Sequence, residues 1–402
     1  MVGGLTMTIL HNCRLISILT EGYHGEFADV VIEHGLIDGI YPAGTAPEPE
    51  GAEKLDIKGM TLLPGLFDLH AHLMVVNQDW NYLMLRPQNQ YLLDCVRYAK
   101  EYLRLGFTTI RDCGNDYYAS VAVRDYIADG TITGSRVITS GKILSPTTKG
   151  NSSFGTLYKE VDSPSEMMKV CREEMANGVD FIKYMCTGAV LNLGGEPGAM
   201  VTTPEELSAI VRAADSLGTY VAAHCHGTRG INEAVKAGVY TIEHASYMTE
   251  ESAELMIKHK TGGIVPTFSM PYTLVKDYAG NTTQEFIDKS RDAIVHMAAS
   301  AKLGAEAGVR VGFGTDLDLK NMLEHIGIEF LARAEFGIEP LEILREATIE
   351  SAAIVGMDDV CGTIKAGKLA DLCIFEGKPD EDISVMSKYP LYVFKDGQIF
   401  RN

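Results

Sequence analysis

At 402 residues the chain exceeds the usual single-domain length, although one (β/α)8 barrel can fill most of it. Hydrophobic residues make up 46% and charged residues 22%, so a large core can form without a disulfide framework. A net charge of −19 argues against a nucleic-acid-binding surface and against docking on an anionic membrane.

From the N-terminus, MVGGLTMTIL lacks a basic stretch followed by a long apolar one, so no secretory signal is expected. Residues 5 to about 60 read as short strands broken by turns: TILHNCRLIS, ADVVIEHGLIDGIYP and EKLDIKGMTLLPG. The middle of the chain alternates apolar runs with helical stretches. Predicted strands are LLPGLFDLH, FTTIRDCG, RVITSG, FIKYMC, YVAAHC, TIEHA, GGIVPTF and VRVGFGTD. Predicted helices between them include YLLDCVRYAKEYLRLG, PEELSAIVRAADSLG, GINEAVKAG, EESAELMIKHK and DAIVHMAASAKLGAEAG. Gly106, Gly178, Gly218, Gly238 and Gly308 each stand where a helix would end before a strand, as C-caps do.

Eight alternations predict a parallel sheet with crossovers, closed as a (β/α)8 barrel. A doubly wound open sheet is the alternative, but no Gly-rich phosphate turn follows the first strand. Two long polar loops, 142–160 and 192–204, are expected over the active face. The last forty residues, with GTIKAGKLADLCIFE and PLYVFKDGQIF, read as strands again. Both chain ends are therefore expected to build one β-sandwich domain, from 1–62 and 359–402, with 63–358 as the barrel between them.

Eight scattered cysteines include no CxxC pair, and Cys186 and Cys225 lie inside apolar runs. That suits reduced, buried thiols and a cytoplasmic protein. No run of about 18 apolar residues occurs, so no membrane span is expected.

The chemistry-bearing residues fall at the ends of the predicted strands. His70 and His72 of LPGLFDLHAHL project to one side of an extended segment and can grip one cation. A lone HxH is weak; the Pro-Gly turn and apolar run before it make it sharper. His224 of YVAAHCHG and His244 of TIEHAS end later strands. Each alone reads as a hydrogen-bonded core histidine, but several at separate strand ends point to one shared site. His226 faces the same way as His224, so either could ligate; His224 is preferred, with His226 touching substrate.

Asp316 of VGFGTD can ligate a metal and take a proton from water, or simply cap a helix. Lys183 of DFIKYMC repels cations as an ammonium, and then reads as a strand-end lysine reaching solvent. It becomes a ligand only when CO2 adds to its neutral amine to give a carbamate, and burial favours that neutral amine.

Together, HAH at 70–72, the lysine of FIKYM, the first histidine of AHCHG, the histidine of IEHA and the aspartate of GTD resemble the amidohydrolase superfamily. GTIKAGKLADLCIF resembles its C-terminal segment, and GINEAVKAGVYTIEHAS resembles its prolidase-like and imidazolonepropionase-like branch. The resemblance covers nearly the whole chain. It implies a metal-bearing barrel beside a small β-sandwich, with two divalent ions, expected to be Zn2+, on His70, His72, carboxylated Lys183, His224, His244 and Asp316. Many members carry TGGHG after the third strand; here the stretch is SPTTKGN, without histidine. That departure bears on dipeptide specificity, and Lys149 within it is a candidate partner for a substrate carboxylate.

The expected activity is hydrolysis of an amide bond, in an Xaa-Pro-like dipeptide or N-acyl amino acid. A metal-bridging hydroxide would attack, with Asp316 shuttling the proton. Tyr184, Tyr247, Arg111 and His226 are candidate substrate contacts near strand ends. The partner is then a small molecule, with a homo-oligomer expected. A cyclic-amide hydrolase or deaminase is the alternative enzyme, which metal stoichiometry near one per chain would favour. An inactive oligomeric scaffold is the non-enzyme alternative, against which the complete ligand set argues.

Overall fold

The computed structural model describes residues 7–190, 196–276 and 283–401, with the backbone alone at 80, 81 and 153. The fold is α/β, and the chain divides into two compact units. One unit gathers the chain up to Phe67, Lys100–Thr109 and the chain from His325 onward; the other gathers Asp68–Ala99 and Ile110–Glu324.

In the first unit, strands from both chain ends share one sheet. Its order is Gln398–Arg401, Tyr392–Lys395, Leu372–Phe375, Thr61–Pro64, Thr8–Arg14, Phe27–Glu33 and Leu36–Pro42, with Glu53–Asp56 also paired to Thr8–Arg14. The seam between the ends is antiparallel and sets Cys373 opposite Leu63. Alternate residues turn inward, so Leu10, Val30, Ile32, Leu62, Leu372, Ile374 and Phe394 meet in one apolar core.

The second unit is built on six parallel strands in the order Tyr158–Glu160, Ile143–Ser145, Ile182–Met185, Val221–Cys225, Thr241–His244 and Gly263–Val265. Leu66–Ala71, Phe107–Asp112 and Arg136–Thr139 form a separate three-stranded sheet. Apart from Tyr158–Glu160, the parallel strands are buried along their whole length, as strands covered on both faces are.

Helices between them start on designed caps. Thr203 and Glu206 form a reciprocal capping box at Pro204–Ser216, with Pro204 in the first turn. The helices Thr228–Ala237 and Gln284–Ala307 end on Gly238 and Gly308, both in the left-handed region that glycine alone enters cheaply. Among the described residues, no helix is long and apolar enough to cross a membrane. All eight cysteines are buried and free.

Two expectations change. The predicted strand VRVGFGTD makes a single bridge, Val311 to Ile264. Beyond it, Phe313 O accepts from Leu69 N at 2.8 Å, and Asp316 N donates to His70 O at 2.7 Å. The segment thus touches Gly263–Val265 on one side and Leu66–Ala71 on the other without regular pairing. Gly314 is the reason it can pass so close: a Cβ there would stand 2.8 Å from His70 Cβ and 2.7 Å from Val265 Cγ1. The predicted polar loop 142–160 is partly ordered as Ile143–Ser145 and Tyr158–Glu160, which pair with each other around the 3-10 turn Asn151–Phe154. Of the second loop, 192–195 lie outside the described residues.

Candidate active site

The C-terminal ends of the second unit's strands surround a cavity of about 290 Å3. His70, His72, Lys183, His224, His226, His244 and Asp316 all line it. Parallel register brings them together: Met185 pairs with His224, and Cys225 with His244. The imidazoles are close-set, with His244 ring centroids 4.5 Å from His224, 4.7 Å from His70 and 4.9 Å from His226. His72 Nε2 lies 3.4 Å from Asp316 Oδ1, and His70 Nε2 lies 3.8 Å from the same oxygen. Lys183 is 2% exposed, so its amine does not reach solvent; Nζ sits 3.4 Å from His70 Nε2.

Each histidine is held by one ring nitrogen, which leaves the other for the cavity. His70 Nδ1 is 2.7 Å from Glu243 Oε2, His72 Nδ1 is 3.1 Å from Gly114 O, and His244 Nδ1 is 2.7 Å from Thr267 Oγ1. His226 Nδ1 is 2.8 Å from Ser246 Oγ, whereas His224 uses Nε2, 3.1 Å from Gly188 O. A partner on one nitrogen fixes ring orientation and tautomer, as in metal-ligating histidines. Behind His70, Arg111 binds Glu243 Oε1 at 2.7 Å, Leu69 O at 2.7 Å and Thr241 Oγ1 at 3.1 Å. The backbone carries local strain here. His244, Ala245 and Asp316 have φ of 68°, 51° and 52°, a region that side-chain-bearing residues seldom enter.

Burial holds His70, His224 and His244 well below the ordinary histidine value, and their mutual proximity and Lys183 add to it. Burial, with Lys183, brings His226 down to about 3. His72 differs: burial opposes its charge, but the Asp316 carboxylate outweighs that and raises it. Burial lifts Asp112 to about 6; its oxygens accept from Leu73 N at 2.9 Å and Thr139 Oγ1 at 3.2 Å.

Two donor groups stand ready for cations. The facing atoms of His70, His72 and Asp316 lie within 4.8 Å of one another, as do those of His224, His226 and His244. Inward-pointing imidazoles with a carboxylate form the nitrogen–oxygen donor set that divalent transition metals prefer. These residues fit such ions. His70, Cys113 and Glu243 also cluster, but Glu243 is already committed to Arg111 and His70.

The other candidate contacts lie elsewhere. Tyr184 follows Lys183 by one residue, so strand alternation turns it outward, where its hydroxyl meets Thr202 Oγ1 at 2.5 Å. Arg111 is buried and bonded to Glu243, and the Tyr247 hydroxyl bonds Asp292. Lys149 is exposed. None of these four lines the cavity, and neither do residues 196–204 of the second loop.

Sequence reading missed Glu243, although it directly precedes His244, and missed the wall residues Phe154, Leu157, Tyr158 and Met270. Tyr158 has its phenol pushed up by burial and by Asp316. Parity alone could not signal Glu243, because strand alternation turns adjacent residues to opposite faces and His244 departs from it with a φ of 68°; nothing marked the wall residues, which sit in a 3-10 turn, a bend, a short strand and a helix.

Known proteins are similar to this chain in sequence and fold. Ochratoxinase from Aspergillus niger is 30% identical over 372 residues, covering 85% of this chain and 75% of its own length. A prolidase solved with N-methylphosphonate-L-proline superposes with a TM-score of 0.87 at 30% identity, over 99% of this chain and 100% of that one. An Xaa-Pro dipeptidase with methionine in its active site superposes with a TM-score of 0.87 at 27% identity, over the same shares. The model of the amidohydrolase family matches residues 61–400. With strand-end histidines, lysine and aspartate gathered in one cavity and that match spanning most of its length, the chain belongs to the amidohydrolase family.

Proposed function

We propose that this cavity hydrolyses an amide bond in a small molecule, with two divalent cations, zinc by preference, held by His70, His72, Lys183, His224, His244 and Asp316. The chain is a hydrolase acting on C–N bonds. The observation that carries the finer reading is the set of fixed rings, each with its second nitrogen turned to the same space. Lys183 would serve as a carbamate, which reverses its charge beside His70; its burial and its 3.4 Å approach to Nε2 support this. We also read the two sheets of the second unit, joined through 311–316, as one closed (β/α)8 barrel within 63–358. The sheet of the first unit then belongs to a β-sandwich formed by 1–62 and 359–402.

Bound cations would polarise the scissile carbonyl and lower the pKa of water towards roughly 7. The residues of the chain do the rest. Asp316, beside His72, takes the proton from the attacking water and returns it to the departing nitrogen. Water oxygen joins the acyl carbon, the C–N bond breaks, and an acid and an amine leave. His226, neutral and fixed by Ser246, presents Nε2 to the substrate carbonyl. The names of the similar proteins point to dipeptides and related amides as the class to test. Amine release from dipeptides, N-acyl amino acids or neutral amides by the zinc-loaded protein, abolished by chelator, is the expected result. No release from any of these classes overturns the reading.

A further inference from the structure

The wall of the cavity, rather than its floor, bears on what flanks the scissile bond. Beyond the histidines the lining is largely apolar, with Ile143, Phe154, Leu157, Met270, Leu274 and Met297, and its neutral polar members are Gln78, Tyr158 and Thr267. Lys183 is the only lysine or arginine among the lining residues, and it lies on the floor against His70. The segments outside the description, 191–195 and 277–282, contain neither lysine nor arginine. Lys149, the candidate partner for a substrate carboxylate, is exposed and does not line the cavity, and Arg111, a candidate substrate contact, is buried against Glu243. The charged wall groups beyond the histidines are carboxylates, Asp316 and Asp318, and Asp318 is already bonded to Asn321.

A substrate carboxylate on the flank of the scissile amide, away from the cation-holding residues, would meet a largely apolar lining with no ammonium or guanidinium of the chain to pair with. Such a charge loses its water with little compensation. An alkyl or aromatic group there would instead bury its surface against aliphatic and thioether side chains, which adapt to varied shapes.

We infer that this site takes a neutral amide with a large apolar flank, and that it selects against a carboxylate next to the scissile bond. This rests on the amide-hydrolase reading of the same cavity, and it separates the chain from a dipeptide specificity. Hydrolysis is balanced as before: water adds across the C–N bond, giving a fatty or aromatic acid and an uncharged-flank amine.

The test is a matched pair that differs by one carboxylate, N-octanoyl-phenethylamine and N-octanoyl-phenylalanine. Turnover by the zinc-loaded protein is measured alongside calorimetric binding of their ketomethylene analogues, which cannot be hydrolysed. The neutral amide should be favoured by about a hundredfold or more in kcat/KM, and its analogue should bind correspondingly tighter. Equal or reversed preference overturns the inference and leaves amide hydrolysis standing. Preferential binding of the neutral analogue without cleavage of either amide supports the inference and removes the hydrolase reading. Absence of any binding preference overturns the inference.

Discussion

His226 shows how burial sets the behaviour of a single residue. Its ring is enclosed with His224 and His244, and its folded pKa is about 3. In the unfolded chain it protonates near 6.5. The unfolded state therefore binds the extra proton as pH falls below about 6.5, and the folded state loses stability towards pH 3. Glutamine at this position cannot titrate. In metal-free protein, His226→Gln should gain on the parent by about 2 kcal/mol between pH 8 and pH 5, read by denaturant unfolding. An unchanged difference at the two pH values would contradict the burial argument. Residue-scale chemistry was legible in the sequence where type and position coincide: two histidines one residue apart, or an aspartate after an apolar run. What the sequence hid was partnership. Arg111 read as a substrate contact because it ends a strand, yet its guanidinium is spent on Glu243, and through Glu243 on His70.

At the scale of elements, period-two alternation decides which side chains see the cavity. Lys183 and Met185 turn in and Tyr184 turns out. That parity was legible in FIKYMC itself. The segment 311–316 was harder. Its apolar run reads as a strand, but Gly314 presses against His70, and regular pairing is lost. Gly314→Ala would drive a Cβ against the Cβ of His70 and Cγ1 of Val265. We expect a loss of about 1–3 kcal/mol in thermal or denaturant unfolding, with reduced metal retention because His70 must move. Wild-type stability and full metal content in that variant would show the close approach to be unimportant. The wall segment 142–160 was read as a polar loop because lysine, serine and threonine dominate it. Ile143, Phe154, Leu157 and Tyr158 are its residues that line the cavity.

Across the whole molecule, the sharing of one sheet by both chain ends was legible because strands recur at both termini with the same alternation. The order of strands in that sheet was not, since register between segments some 300 residues apart leaves no local trace. The second unit assembles its site from residues far apart in sequence, so ligand binding and folding are coupled. At a free-metal level about a hundredfold above Kd, each occupied site adds about 2.7 kcal/mol. Chelation should then lower Tm by on the order of 10 °C, restored by zinc. A melting temperature indifferent to chelator would mean that the histidine cluster is a packed core without a resident ion.

The most direct test is the comparison of Asp316→Asn with the parent, both loaded with zinc and assayed for metal content and amide turnover. Asparagine keeps the shape and a ligating oxygen but cannot take a proton. The account predicts metal content near that of the parent and kcat lower by about a hundredfold to ten-thousandfold. Near-parental turnover with the metal in place would contradict it.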